Sequence, residues 1–313
     1  MQKEILKRVR ATVLGHAVAD ALGVPVEFTA RAERDKDPVM EMRGFGTYPV
    51  PAGAWSDDTS MALCALDSLG AEGWSPDGVM RRFALWYTCG EYTPTGRMFD
   101  VGGTCMAAIE KYLRGTPAEL CGQKGEGTVG NGALMRLYPF VLWAWQKGGP
   151  WEAWEKRIDC ATALTHAHPR ALMASRIYAR VLLALLREPT LDAARTALTE
   201  AGRAYAKERE IGHFKRLFSS DFAALEREKI RSSGYAVDTL EAALWCLFTT
   251  DTYRDAVMRA VGLGEDTDTV GAVTGSLAGA LYGAEAIPRE WLSHLIKRDL
   301  IEDLAKRFAS AAK

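Results

Sequence analysis

Two short segments concentrate hard oxygen ligands. Ser56-Asp57-Asp58-Thr59 stands just before an apolar run that starts near Met61, and Asp266-Thr267-Asp268-Thr269 stands just before another that starts at Val270. Each reads as a helix N-terminus, where one or two acids ordinarily cap free N–H groups and complement the helix dipole. Capping alone does not call for neighbouring aspartates together with Ser and Thr at both places. Asp, Ser and Thr oxygens are the ligand set of a hard divalent cation such as Mg²⁺ or Ca²⁺. Soft-metal ligation lacks a basis, because the chain holds neither an HExxH nor a Cys/His cluster. Either acidic segment alone is compatible with simple capping. Together they could face each other across a helical bundle, where facing helices commonly build dinuclear carboxylate sites.

Two glycine loops lie between them. Gly96-Arg97-Met98-Phe99-Asp100-Val101-Gly102-Gly103-Thr104 precedes a helical run over 105–113, and Thr128-Val129-Gly130-Asn131-Gly132-Ala133 precedes one over 134–145. A glycine loop running into a helix start can offer N–H groups to phosphate oxygens. Neither loop is a Walker A sequence or a G-x-G-x-x-G after a strand, and an ordinary turn is the alternative for each. A diphosphate beside a dinuclear metal site would use all four segments. His166 and His168 follow in Thr165-His166-Ala167-His168-Pro169. They read either as polar residues at a helix start or as hydrogen-bonding and stacking contacts to a ligand.

The elements that must position these residues are helical. Leu6, Val9, Val13 and Ala17 fall on one face of a first helix. Ser75-Pro76-Asp77 offers an N-cap with Pro at the first helical position. Start signals also predict helices over 151–164, 169–186, 191–206, 238–248, 253–261 and 288–308. Residues 39–50 carry strand-type side chains, but Gly44, Gly46 and Pro49 interrupt them, so they are predicted to form a covering loop. The charged stretch 207–231 reads as a solvated helix or surface loop. Gly271, Gly275, Gly279 and Gly283 recur every four residues. Each helix-interior Gly costs about 1 kcal/mol relative to Ala, so a stripe of them predicts close approach by another backbone, such as the helix carrying Asp20 and Gly23.

Composition bounds the remaining classes. The chain has 313 residues, 48% hydrophobic and 25% charged, which excludes wholesale disorder. Lys+Arg 39 against Asp+Glu 40 leaves a formal net charge of -1, so no global basic field gathers nucleic acid. Cys64, Cys89, Cys105, Cys121, Cys160 and Cys246 form no C-x-x-C pair and read as reduced thiols. The stretch 1–10 is charged without an apolar signal core, and 270–284 is too short to span a bilayer. No membrane association is expected, and the location is expected to be cytoplasmic. With no flexible linker and no repeat, residues 1–313 are predicted to form one all-α, multi-helix domain.

In this order the segments resemble the ADP-ribosylglycohydrolase family. Gly15-His16-Ala17-Val18-Ala19-Asp20-Ala21-Leu22-Gly23 with Glu27 is similar to the family's opening G-x-x-x-G-D-A-x-G…E, with Ala19 where Gly is usual. Ser56-Asp57-Asp58-Thr59 resembles its [ST]-D-D-T motif and Phe99-Asp100-Val101-Gly102 its F-D-I-G loop. Gly130-Asn131-Gly132-Ala133-Leu134-Met135-Arg136 is similar to G-N-G-x-x-M-R, Thr165-His166 to the T-H element, and Asp266-Thr267-Asp268-Thr269 to the D-x-D-T close. Glu265 departs from the Gly or Asn often found there.

The resemblance implies an all-α fold with two divalent cations, Mg²⁺ or Mn²⁺, in a cleft. It implies metal ligation by Ser56, Asp57, Asp58, Asp266, Asp268 and Thr269, with Glu27 touching one metal. Asp100, Gly102, Gly103, Thr128, Val129, Gly130, Asn131, Gly132 and His166 would hold ADP-ribose. Asp57 or Asp58, with Glu27 or Asp100, would act as acid or base in cleaving a ribosyl bond. The implied partner is an ADP-ribosylated protein, with arginine linkage favoured through Tyr92-Thr93-Pro94-Thr95-Gly96 and Phe99-Asp100, or a small ADP-ribose conjugate. Serine-linked, O-acetyl or base-linked ADP-ribose, diphosphate hydrolysis and non-catalytic binding remain open from sequence.

Overall fold

Small residues let two helices meet at the centre of the molecule. In the computed structural model, which describes residues 2–311, α1 (Gln2–Gly23) lies antiparallel to α12 (Thr267–Tyr282). A Cβ on Gly275 would collide with the Gly15 carbonyl, one on Gly279 with that of Ala11, and one on Gly271 would stand 2.9 Å from that of Ala19. Backbone therefore touches backbone, which only glycine allows at these positions. The Tyr253 hydroxyl locks the pair by donating to the Gly15 carbonyl at 2.6 Å. Every residue of α1 from Ala11 to Gly23 and of α12 from Thr267 to Ala280 is buried, as expected of central helices. The antiparallel arrangement brings the C-terminal end of α1, with Asp20, to the acidic N-terminus of α12.

The other helices surround this pair. In chain order they are α2 (Arg31–Lys36), α3 (Asp57–Glu72), α4 (Pro76–Cys89), α5 (Gly103–Leu113), α6 (Tyr138–Lys147), α7 (Trp151–Ala163), α8 (Pro169–Arg187), α9 (Leu191–Ala204), α10 (Ala236–Phe248), α11 (Tyr253–Val261), α13 (Arg289–His294) and α14 (Arg298–Ser310). One continuous apolar cluster draws on α1 and α3 through α14. Side-chain caps start several helices where the sequence predicts: Ser75 accepts from Gly78 N, and Thr190 from Ala193 N. Among the described residues there is no sheet, only isolated bridges between Gln123 and His166 and between Gly130 and Tyr235. No described helix is long and apolar enough to cross a membrane, and all six cysteines are free.

Four expectations are corrected. The helix predicted over 134–145 begins only at Tyr138, because Pro139 suits a first turn and 132–136 is a series of turns. The helix predicted over 288–308 is two: Ile296 N donates to Gly53 O at 3.0 Å and Lys297 takes φ 49°, so a tertiary contact overrides the local period. Gly283 leaves the glycine stripe and ends α12 with φ 86°. The charged stretch 207–231 is neither fully solvated nor α-helical; it is a chain of 3₁₀ turns that buries Phe214, Leu217, Phe222 and Ile230.

Candidate active site

Asp20 organises the first acidic segment. Its carboxylate accepts from Ser56 N and Oγ, each at 3.0 Å, from Thr59 N at 3.0 Å and from Thr59 Oγ1 at 2.6 Å. Ser56 itself N-caps α3 by accepting from Asp58 N. A side chain of α1 thus satisfies the free donors at the start of α3 and leaves Asp57 and Asp58 to face elsewhere. At the other end, Thr267 Oγ1 donates to Gly23 O at 2.8 Å, and Asp268 Oδ1 accepts from Thr269 N at 2.8 Å. Thr269 Oγ1 reaches Asp58 Oδ1 at 3.3 Å across a sequence separation of 211 residues.

Two loops complete the cluster. Phe28 N donates to Glu265 O at 2.6 Å, and Glu265 N to Thr29 O at 2.8 Å. Phe28 and Glu265 both have left-handed backbone, at φ 62° and 59°, which explains the Gly or Asn preference noted at 265. This pairing sets Glu27 beside the start of α12. Glu27, Asp100 and Asp268 each offer an oxygen, and the three oxygens lie within 4.8 Å of one another.

A cleft of about 240 Å³ opens over the cluster. Of the residues singled out in the sequence, Glu27, Asp57, Asp58, Asp100, Gly102, Gly103, Gly130, Asn131, Gly132, His166, Asp266 and Thr269 line it. Ser56, Asp268, Thr128 and Val129 do not. Ser56 is engaged by Asp20, and Asp268 lies behind the lining, close to Glu27 and Asp100. Thr128 turns its hydroxyl back to Gly125 O at 2.7 Å, and Val129 joins the core. Phe28, Thr104, Cys105, Met135 and Gly234 also line the cleft. A larger hollow of about 370 Å³ lies between Arg10, Glu285, Arg289 and Arg298, with neither the acidic cluster nor the glycine loops.

The carboxylates repel one another in a place that water barely reaches. Burial, followed by Asp100, Asp20 and Asp266, raises Asp57 well above the ordinary carboxylate range. Burial also dominates at Asp58, where Asp20 and Asp57 add to it, and at Asp268, where Glu27 and Asp58 do. Glu27 is pushed up to about 9 by burial and then by Asp100 and Asp266, while the Tyr48 hydroxyl pulls it down. Asp20 reaches only about 6, because its four donors offset burial. Glu27 Oε2, Asp58 Oδ2 and Asp266 Oδ1 are buried acceptors without a hydrogen-bond partner. Unpaired acceptors on converging acids are what a hard divalent cation satisfies, so these residues fit one.

The glycine loops form the opposite wall. Gly102 caps α5 without a side-chain hydrogen bond, so the N–H groups of its first turn open into the cleft. A Cβ on Gly102 or Gly103 would meet nothing within 4 Å, so these glycines leave room there. Asn131 donates its amide to Asp266 Oδ2 at 2.7 Å and to Thr239 Oγ1 at 2.9 Å, which ties the G-N-G loop to the second acidic segment. His166 lines the cleft, whereas His168 N-caps α8 by accepting from Arg170 N at 3.1 Å. Sequence reading singled out neither Tyr48 nor Phe28. Tyr48 sits in the covering loop, packs at a tilt against Phe99 with ring centroids 5.2 Å apart and carries no motif signal. Asp20 was visible only as part of the opening motif.

Comparison with known proteins shows the family. The ADP-ribosylglycohydrolase family profile matches residues 1–313, and a glycohydrolase domain is thereby defined. The chain belongs to the ADP-ribosylglycohydrolase family. It is 32% identical to ADP-ribosylarginine hydrolase Tri1 of Serratia proteamaculans (strain 568), over 98% of this chain and 80% of the relative. It is 34% identical to ADP-ribosyl-[dinitrogen reductase] glycohydrolase of Rhodospirillum rubrum, over 92% of this chain and 90% of the relative. A solved structure described as an ADP-ribosylglycohydrolase-related protein complex superposes with a TM-score of 0.81 at 34% identity, covering 99% of this chain and 100% of the other.

Proposed function

We propose that the protein removes ADP-ribose from modified arginine side chains with the help of two divalent cations, Mg²⁺ or Mn²⁺. The observation that carries this reading is the meeting, in one cleft, of acids from both ends of the chain with the two glycine loops and His166. Relatives named for ADP-ribosylarginine and for ADP-ribosylated dinitrogen reductase support the protein-linked substrate.

Asp57, Asp58, Asp266 and Asp268, with Ser56 and Thr269, would hold the cations. Bound there, divalent cations supply positive charge that offsets the crowded carboxylates and fixes the ribose for reaction. The glycine wall receives the remainder of the ligand. The first turn of α5 offers N–H groups of the kind that take up diphosphate oxygens, and Gly130 and Gly132 line the cleft on either side of an Asn131 N–H already given to Gly234 O at 3.0 Å.

Cleavage at the anomeric carbon builds oxocarbenium-like charge and needs a proton on the leaving nitrogen. Glu27 and Asp100 stand at the cleft beside the cluster, and burial favours the protonated form of each. Glu27 Oε2, which has no partner in the fold, is assigned the proton delivered to the leaving guanidine. Asp100, in the ionised form that the Tyr48 hydroxyl favours against burial, is assigned the proton taken from water as the water oxygen bonds the anomeric carbon. Close positioning of sugar and acid adds to the lowering of the barrier.

The test is direct. The protein is incubated with Mg²⁺ and with substrates ADP-ribosylated on arginine or on serine, and the products are weighed. Free ADP-ribose with unmodified arginine supports the reading. Release from serine alone replaces the linkage, and AMP with a ribose phosphate replaces the reaction.

A further inference from the structure

Arg136 is a fully buried guanidinium with no carboxylate partner among the described residues. Its neighbours are the Phe83 ring at 4.8 Å, the Ala161 carbonyl, the Cys105 thiol and the Thr165 hydroxyl, to which it donates at 2.6 Å. Burying such a charge is costly unless it is used. Thr165 Oγ1 lies 2.8 Å from His166 Nδ1. On its other side, His166 Nε2 would stand 3.5 Å from a Cβ built on Gly130, in the wall of the cleft, and no described residue partners it.

We propose that Arg136 and Thr165 are positioning residues that fix His166 as a neutral imidazole protonated at Nε2, aimed as a donor at the ligand. The direction follows from counting hydrogens. Arg136 can only donate, so Thr165 Oγ1 accepts from it and keeps its own hydrogen to give. His166 Nδ1, at 2.8 Å, is the strong acceptor in reach; the Cys105 sulfur, which also borders Thr165, is a weak one. The Cys105 thiol, also nearby, donates to Gly132 O at 3.7 Å. A proton on Nδ1 would crowd a second N–H onto the Thr165 oxygen and leave the threonine hydrogen only the Cys105 sulfur, a weak acceptor. Burial and then the Arg136 charge push the His166 pKa down to about 3, so the ring carries one proton, and Nε2 is where it goes.

The resulting N–H stands beside Gly130 and Gly132 in the wall of the cleft, so as a donor it suits an oxygen-rich, anionic ligand. Naming that acceptor as a diphosphate oxygen of ADP-ribose rests on the proposed function; the tautomer does not.

The test uses the full chain with ¹⁵N-labelled histidine, His166 being assigned by the signal lost in His166→Gln. Wild-type protein and Thr165→Ser should show protonated Nε2 and bare Nδ1. Thr165→Val, checked for intact melting, should shift the proton toward Nδ1 and weaken ADP-ribose binding several-fold, with a smaller change in kcat at saturating substrate. Restoration of both signals by Thr165→Ser separates the hydroxyl from mere packing. A wild-type ring protonated at Nδ1, or a folded Thr165→Val with wild-type tautomer and wild-type Kd, would overturn the proposal. If wild-type protein binds no ADP-ribose, the substrate reading fails while the ¹⁵N signals still decide the relay.

Discussion

Four donors converge on Asp20, and the two aspartates of α3 face the cleft because of it. Asp20→Asn would turn an amide NH₂ toward groups that themselves donate. Each unsatisfied buried donor costs about 1–3 kcal/mol, so Tm should fall and kcat with it, measurable by calorimetry and steady-state kinetics; unchanged values would show that Asp20 does not set the site. Asn131 carries a second prediction. Sequence alone makes it a ligand anchor, whose loss would weaken ADP-ribose binding and change kcat modestly. In the fold its amide holds Asp266 and Thr239, so Asn131→Ala should lower kcat as well as affinity. A pure KM effect would return it to the simpler role. The difference marks what was legible at this scale. Residue types announced acidic segments and glycine loops, which the fold brings together in one cleft, because such chemistry needs particular atoms. They could not announce that Ser56 answers to Asp20, that Val129 points into the core, or that Tyr48 joins Glu27, since each depends on a contact between distant segments.

Helices were readable wherever a local signal set them. Ser75 and Thr190 cap as their side chains dictate, and the four-residue glycine step gave both the close approach and its partner helix. Reading failed where tertiary contact or proline moved a boundary, as at Pro139 and at Ile296, whose N–H is taken by Gly53. The α1–α12 pair is the element on which the site depends, since it sets Asp20 and Gly23 against Thr267 and Asp268. Gly275→Ala places a methyl on the Gly15 carbonyl. Overpacking of this kind costs about 1–3 kcal/mol, so Tm should drop, and activity at a temperature where the protein stays folded should drop too. Gly102→Ala, with open space around its Cβ, should leave Tm nearly unchanged while weakening ADP-ribose binding. Equal Tm losses in the two variants would contradict the assignment of one glycine to packing and the other to the cleft.

For the molecule as a whole, the crowded acids couple stability to pH and, if the proposed cations bind there, to metal. Burial raises Asp57, Asp58 and Asp268, and brings Asp20 to about 6 and Glu27 to about 9, in the metal-free protein. Unfolded carboxylates titrate near about 4. Between these values the fold holds protons that the unfolded chain has released, so this contribution falls as pH rises. His16 and His166 act in the opposite sense: burial lowers both to about 3, so they disfavour the fold as pH drops below the ordinary histidine value of about 6.5. Comparing metal-free with metal-loaded protein at each pH cancels the histidines. The gain in Tm from Mg²⁺ or Mn²⁺ should therefore be larger at pH 8 than at pH 5.5, because cations require ionised ligands; an equal gain at both, or none, would place the metal elsewhere. The central claim is that this cluster serves bond cleavage rather than ligand capture. It is tested most directly by kcat of Asp268→Asn on ADP-ribosyl-arginine at saturating substrate, with ADP-ribose Kd measured beside it. Losing an outer partner of a metal ligand already costs about 10–100-fold, so loss of the ligand itself should lower kcat by at least about 100-fold while Kd changes far less. A variant that binds ADP-ribose and turns over at close to the wild-type rate would contradict the account.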